Sequence, residues 1–317
     1  MARSLQLALL LIFSLSLPRP VFSLEDFLMG ISNKHASTAY LYLGKERRFF
    51  AEEGIDLKLI FIPVSVAPTA LTARQIDGME YGSSGILLRT RGAPLMTLFS
   101  QSYKPGWFLM SSPSVTDLRQ LSGKTVTVGS LGSGSHNVTV EILKQAGVNP
   151  DTVVFIGGRG GSDVRLQMLS SGAVQAANLV SPYNFMAEKQ GFRTLMFYGD
   201  RFELAQFGLI VNESSLKSRK PFLKRALRAF VKSHLYTLSH REETVKWVAE
   251  NLKMDKENAE RTFDVLLKVS TRSGIASDSS IQNSLDQTAR SESAKKTELV
   301  DYGLLREVLR EMGVKPD

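Results

Sequence analysis

The chain has 317 residues, of which 43% are hydrophobic and 22% charged, with a formal net charge of +8. That composition excludes global disorder and fibrous repeats, and the length allows one large domain or two medium ones, each with a real core. The lack of any cysteine excludes disulfide scaffolds, thiolate zinc and iron–sulfur sites, thiol nucleophiles and the lipidated cysteine of a bacterial lipoprotein.

The chain opens on the short basic start Met1-Ala2-Arg3, followed by a nearly unbroken apolar run from Leu5 to Leu17. Pro18, Arg19 and Pro20 end the run, and Val21-Phe22-Ser23 offers a small residue for cleavage. The pattern is that of a secretory signal peptide cut near Ser23, and it predicts an exported, periplasmic protein. An uncleaved anchor is the alternative, but a run of about 13 residues is short against the ~20 that a span needs. Loss of Arg3 and Arg19 lowers the net charge from +8 to +6. The remaining basic residues are scattered among acidic ones. The short cluster Lys217-Ser218-Arg219-Lys220 sits near a predicted helix start and reads as solvated surface, so no nucleic-acid partner is expected.

From Gly30 onward the chain echoes itself. Gly30-Ile31-Ser32-Asn33-Lys34-His35-Ala36-Ser37 leads into a helical pattern from Thr38 to Glu53, a stop at Gly54 and a strand over Ile55–Ile62. Farther on, a strand over Thr125–Val128 runs into Gly129-Ser130-Leu131-Gly132-Ser133-Gly134-Ser135-His136. A helical pattern from Asn137 to Ala146, a stop at Gly147 and a strand over Thr152–Ile156 follow. Each glycine stands where a helix end wants a left-handed residue. The echo continues in Leu71 to Gly82 against Leu169 to Val180. These run into Ser83-Ser84-Gly85 and Ser181-Pro182-Tyr183-Asn184. Alternation of strand and helix at this spacing predicts βαβ units, hence two α/β lobes, each a mostly parallel sheet flanked by helices. The region from Pro221 to Gly313 reads as helices, the last an amphipathic one over Glu298–Met312 with Leu304, Leu305, Val308 and Leu309.

In open parallel sheets, ligands sit at the carboxyl ends of strands. The loops there carry Ser32, His35, Ser83, Ser84, Ser130, Ser133, Ser135, His136, Ser181, Tyr183 and Asn184, and these are the candidate ligand-binding residues. Ser/Gly loops before helix starts present backbone N–H groups and hydroxyls to a polar or anionic small molecule. Tyr183 and Trp107 are the aromatics placed to stack on an organic ligand, whereas Tyr42 and Phe50 have core spacing. His234 and His240 are expected on the surface.

Nucleotide motifs fail. Gly129-Ser-Leu-Gly-Ser-Gly134 is followed by Ser135 and His136 rather than by the lysine and hydroxyl residue of a P-loop. Asn137 stands where a dinucleotide fingerprint has its third glycine. Gly157-Gly158-Arg159-Gly160-Gly161 reads as a flexible connection capped by Ser162 or Asp163, with Arg159 as a possible anion partner if the loop faces a cleft. His35 and His136 hold equivalent places but lack a third metal ligand, so neither metal nor cofactor is expected. No Gly-x-Ser-x-Gly elbow is present, and no recognisable acid–base pair marks an enzyme, although Asp77, Glu80 and His35 could be assembled into one.

Four segments in order resemble the solute-binding proteins of ABC importers in the nitrate/sulfonate/taurine/thiamine-precursor group. These are type II periplasmic binding proteins. The first segment is Tyr42 to Leu57, with Phe50 before Glu53-Gly54. The second is Leu71-x-x-Arg74-Gln-Ile-Asp77-Gly78, with Arg74 where the family usually has glycine. The third is Asp117-Leu118-x-x-Leu121-x-Gly123-Lys124-Thr-Val126. The fourth is Leu169-x-x-Gly172-x-Val174-Gln175 with Pro182, where Gln175 replaces a commoner aspartate. The resemblance covers residues 25–250. It implies lobe one from residues 24–109 plus 205–317, including C-terminal helices packed on it, and lobe two from 110–204. It also implies a monomer that traps a small polar or anionic organic solute between the lobes and delivers it to a membrane permease with its ATPase. A eukaryotic enzyme on this fold, which makes the thiamine pyrimidine, carries a cysteine-rich motif that this chain lacks. A secreted enzyme on the same scaffold and a ligand-sensing module for a membrane receptor are the alternatives.

Overall fold

A computed structural model describes residues 24–157, 161–286 and 299–316. The expected leader, Arg159 and Glu298 lie outside the described residues. Lobe one opens with β1 (Glu25–Ile31), α1 (Ala39–Glu46), α2 (Phe49–Glu52), β2 (Ile55–Phe61) and α3 (Ala67–Thr72). It continues with β3 (Gly78–Tyr81), α4 (Gly82–Thr90) and β4 (Leu95–Ser100). The chain then crosses into lobe two with β5 (Trp107–Ser111), β6 (Thr125–Val128), α5 (Gly134–Gln145), β7 (Val154–Gly157) and α6 (Ser162–Ser170). There it continues with β8 (Ala176–Val180), α7 (Tyr183–Lys189) and β9 (Arg193–Phe197). It returns with β10 (Phe207–Asn212) and ends in α8 (Glu213–Ser218), α9 (Lys220–Ser239), α10 (Arg241–Leu252), α11 (Lys256–Val269), α12 (Asp278–Asp286) and α13 (Gly303–Glu311).

The two sheets have one plan. Their strand orders are β2-β1-β3-β10-β4 and β7-β6-β8-β5-β9. β1 lies parallel to β2 and β3, as β6 does to β7 and β8. β10 runs antiparallel between β3 and β4, and β5 antiparallel between β8 and β9. Each sheet therefore receives, as its fourth strand, chain that has just left the other. The expected boundary after residue 109 falls inside β5, because Trp107 already pairs with Val180; the first passage is residues 101–106. The two passages are tied together where the Gly106 N–H donates to the Gln206 side-chain carbonyl at 3.2 Å.

Local chemistry explains the element ends. Gly54 and Gly147 adopt φ of 72° and 78°, the left-handed helix stops read from the sequence. The expected helix from Thr38 to Glu53 is interrupted. Arg48 takes a left-handed φ of 63°, and the chain re-enters helix turned so that Phe50 packs edge-on to Phe230 at 5.3 Å. A continuous helix would carry Phe50 onto another face. The helix expected from Asn137 starts at Gly134 instead, because the serine loop itself winds into the first turn.

The C-terminal helices complete lobe one. Phe222, Ala226, Leu227 and Phe230 of α9 join Leu304, Leu305, Val308 and Leu309 of α13 over the sheet residues Phe27, Met29 and Leu209. Removing a ring such as Phe230 from this core costs about 3–5 kcal/mol. Val245, Trp247 and Val248 of α10, with Ala259 and Phe263 of α11, cover Ala39 and Leu43. α1 passes so close to α9 that a Cβ on Gly44 would lie 1.9 Å from the Ser233 hydroxyl. Two aromatic placements differ from expectation. His234 is buried, its Nε2 2.6 Å from the Thr271 carbonyl, because the α9 face that carries it turns inward. Trp107 packs against Tyr198 in the core of lobe two, since its strand is central in that sheet. His240 is exposed and stacks on Tyr236.

Candidate functional site

A cavity of about 370 Å³ opens where β1 and β8 end and β10 begins. Lobe one supplies the β1–α1 loop, including Ser32 and His35, together with Phe207. Lobe two supplies Ser162 and Arg165 from α6 and Ser181, Pro182 and Tyr183 from the β8–α7 turn. A third wall comes from α11. Its size suits a small organic molecule.

Arg165 is the buried charged group that lobe two brings to the cavity, whose lining also includes the exposed Asp163. Arg165 is 8% exposed, and its Nε donates to the Asn178 carbonyl at 2.6 Å while Nη2 donates to the Ser162 hydroxyl at 2.8 Å. The same hydroxyl accepts from the Val180 N–H at 3.2 Å. Desolvation draws the Arg165 pKa down from its ordinary value, with the negative charge of Asp163 opposing the shift. A guanidinium stays charged through shifts of this kind. Beneath it runs a buried polar row. Tyr198, pushed up to about 12 by burial, meets the Thr139 hydroxyl at 2.7 Å, which in turn donates to the Ser135 carbonyl at 2.6 Å. The bonds of Nε to Asn178 and of Nη2 to Ser162 leave the guanidinium few ways to turn.

Lobe one answers with a carboxylate. Glu80 on β3 is 2% exposed. It accepts from the Ser32 N–H at 2.8 Å and the Ser32 hydroxyl at 3.2 Å, and His35 Nε2 stands 3.3 and 3.4 Å from its two oxygens. The His35 ring leans on Phe207 at 4.8 Å, so the crossing strand fixes the imidazole. Of the groups suggested for an acid–base set, His35 and Glu80 therefore meet. Asp77 does not join them: it caps the Leu28 N–H at 2.8 Å and pairs with Arg219.

The sequence candidates divide among four places. Ser32, His35, Ser181 and Tyr183 line the cavity. Ser181 Oγ is buried without a hydrogen-bond partner. Ser83, Ser84 and Ser133 border a separate hollow of about 60 Å³ between the start of α4 and the start of α5. Ser130, Ser135 and His136 lie in the serine loop leading into α5 and in its first turn. The Ser130 N–H donates to the Ser133 hydroxyl, the Gly129 N–H to the Ser135 hydroxyl at 3.0 Å, and the Gly132 N–H to His136 Nδ1 at 3.0 Å. Asn184 is fully buried, with both its amide nitrogen and its amide oxygen unpartnered. Sequence reading missed Ser162, Arg165, Phe207 and α11. An arginine four residues past a helix N-cap carries no pattern that separates it from a solvated one.

A wider hollow of about 820 Å³ lies on the outer side of lobe one, between α1 and α10. Arg47 and Arg241 on its wall are paired with Glu243 and Asp264, and its lining residues all belong to lobe one.

The profile described as NMT1/THI5 like matches residues 35–244, well over half of the chain. The chain belongs to this NMT1/THI5-like family. No curated protein matches the sequence. Among solved structures, the periplasmic aliphatic sulphonate binding protein SsuA from Escherichia coli aligns with a TM-score of 0.64 and 20% identity, over 76% of this chain and 83% of that one. The alkanesulfonate-binding protein SsuA from Xanthomonas axonopodis pv. citri, bound to MOPS, aligns at 0.69 and 16%, over 89% and 97%. The desulfurization enzyme DSZB aligns at 0.62 and 14%, over 91% and 99%. At these identities the likeness establishes the fold. This NMT1/THI5-like protein has the two-lobed type II periplasmic-binding-protein architecture, which hosts binding proteins and at least one enzyme. Among its described residues no helix is long and apolar enough to cross a membrane.

Proposed function

We propose that this NMT1/THI5-like protein captures a small anionic organic solute between its lobes, outside the cytoplasm, and delivers it to the permease of an ABC importer. The observation that carries the reading is the buried guanidinium of Arg165 at the wall of a cavity shared by both lobes. A cation held in place by Ser162 and the Asn178 carbonyl suits an acid head group, because charge-assisted hydrogen bonds in a dry site are short and strong. Ser32 and Ser181 line the same space, and the Ser162 hydroxyl, which accepts from Arg165 and Val180, keeps its own hydrogen to donate. Membership of the family and the sulfonate-binding neighbours on this fold support the reading.

The test is a thermal-shift screen of alkanesulfonates, carboxylates, nitrate and neutral sulfonamides of matched shape. A solute at a hundred times its Kd adds about 2.7 kcal/mol to stability. Arg165→Gln is expected to weaken binding roughly 10- to 150-fold, the worth of a hydrogen bond to a charged group. Equal stabilisation by the neutral sulfonamides would end the reading. Delivery is tested by uptake of the identified solute in cells with and without the protein.

The contact between His35 and Glu80 favours a second reading, a secreted enzyme on the same scaffold, because it backs the cavity-lining imidazole of His35 with the buried carboxyl of Glu80. Turnover of a bound solute that disappears in Glu80→Gln would select it.

A further inference from the structure

We infer that α11 is a third wall of the site, and that Val265 on it sets the length of apolar tail a bound organic acid can carry. The inference rests on the reading that Arg165 holds the acid group. Thr262, Val265, Leu266 and Val269 are spaced to share one helix face, and all four line the cavity. Leu266 and Val269 are each 3% exposed, whereas Val265 is half-buried and packs against the same lobe-two core cluster as Tyr183. The Thr262 hydroxyl is turned to the Met254 sulfur at 3.8 Å, so this face offers the cavity methyl groups and no strong donor.

The cavity thus has unlike sides. Arg165, Ser162 and Ser181 supply charge and hydroxyls, while α11 supplies aliphatic surface. An inorganic anion would leave that surface unused, and a polyol would strand hydroxyls against it. An acid with a compact alkyl or aryl tail matches both.

The wall is also held in place from the far side. Arg261 bonds Glu188 of α7 at 2.6 Å, and its guanidinium lies 4.0 Å from the Phe185 ring centre. Lys268 pairs with Asp200 at 2.5 Å, and Lys189 pairs with Asp255. A wall pinned to both lobes cannot retreat freely from an oversized tail.

The experiment is calorimetric titration of the exported chain with nitrate, sulfate, and methane-, butane- and octanesulfonate. Affinity is expected to rise about fourfold per methylene, the equivalent of about 0.8 kcal/mol per buried CH₂, up to a limiting length and then to fall. Val265→Phe should move that limit to a shorter tail and Val265→Ala to a longer one, with methanesulfonate changed less than about threefold in either. Nitrate, sulfate or methanesulfonate binding as tightly as butanesulfonate would overturn the inference. So would an unchanged length profile in Val265→Ala, the variant that folds most readily. If no acid binds and Arg165→Gln changes nothing, the reading of Arg165 fails and this one with it. If acids bind through Arg165 regardless of tail, the wall alone is wrong.

Discussion

Arg261 of α11 and Glu188 of α7 stand 2.6 Å apart, joining a helix packed on lobe one to the surface of lobe two. With Lys268–Asp200 and Lys189–Asp255 they form a strap of exposed ion pairs across the side of the cavity. Each such pair contributes roughly 0.2–1 kcal/mol and weakens as salt screens it. Together they are of a size to bias the spacing of the two lobes.

The strap makes the spacing of the lobes sensitive to salt. The chain has no cysteine, so spin labels on introduced Glu46→Cys and Lys144→Cys report the distance between lobes without background. Arg261→Glu and 0.5 M salt should each broaden and lengthen the distribution. The swap Arg261→Glu with Glu188→Arg should restore it. A distribution indifferent to charge and salt would remove the strap from any role in closure.

The two hollows at the lobe junction predict opposite outcomes for bulky substitutions. Ser181→Trp fills the larger cavity and should abolish solute-induced stabilisation, while the fold loses about 1–3 kcal/mol from overpacking. Ser84→Trp and Ser133→Trp fill the smaller hollow and should leave it intact. Melting curves with and without solute separate the cases, and the reverse pattern would move the site to the hollow between α4 and α5.

Arg74 tests a backbone argument. It stands where the resemblance read from the sequence implies a glycine, and its φ is 59°, near the 75° of Gly172 in the echoed segment. A side chain in the left-handed region costs about 1–2 kcal/mol. Arg74→Gly should therefore stabilise the protein by up to about 1 kcal/mol, even though the bond to the Ser214 hydroxyl is lost. Gly172→Ala should destabilise it by about 1 kcal/mol, although a Cβ there meets nothing within 4 Å. Denaturant midpoints of the two variants decide the matter.

Glu203, in the passage back to lobe one, predicts a pH dependence. The hydrogen bond from the Ser279 hydroxyl, above all, holds its pKa below the ordinary 4.5; burial opposes it, and the Ser277 hydroxyl and the Lys104 charge add smaller lowering effects. A carboxyl lowered in the folded state binds its proton more readily when unfolded. Its stabilisation is thus complete above about pH 4.5 and is lost as pH falls through the folded value. Glu203→Gln should melt below the wild type at pH 6, and the gap should close on acidification. A gap constant from pH 6 to pH 3 would show that the carboxylate does not act through its charge.

Much of the architecture was legible in the chain itself. The glycine stops at Gly54 and Gly147, the echoed strands and the leucine face of α13 are local patterns, and each reappears as an element of the fold. The break at Arg48 was not legible, because it is imposed by the packing of Phe50 on Phe230. The inward turn of His234 could have been read from Phe230, Val231, Thr237 and Leu238 at i±3 and i±4. Its partners, the Thr271 carbonyl and the Tyr40 and Phe99 rings, come from distant parts of the chain and could not.

The site divides along the same line. Residue order alone placed serines at strand ends, since a βαβ chain must put its loops there. Which of those loops share one space depended on how the sheets face each other, and that joined Ser32 to Ser181 while sending Ser84 and Ser133 elsewhere. Arg165 and Val265 became neighbours of the same cavity only in three dimensions. Helical periodicity tells which face of α6 or α11 is covered, but what covers it is decided by long-range packing, which no local pattern encodes.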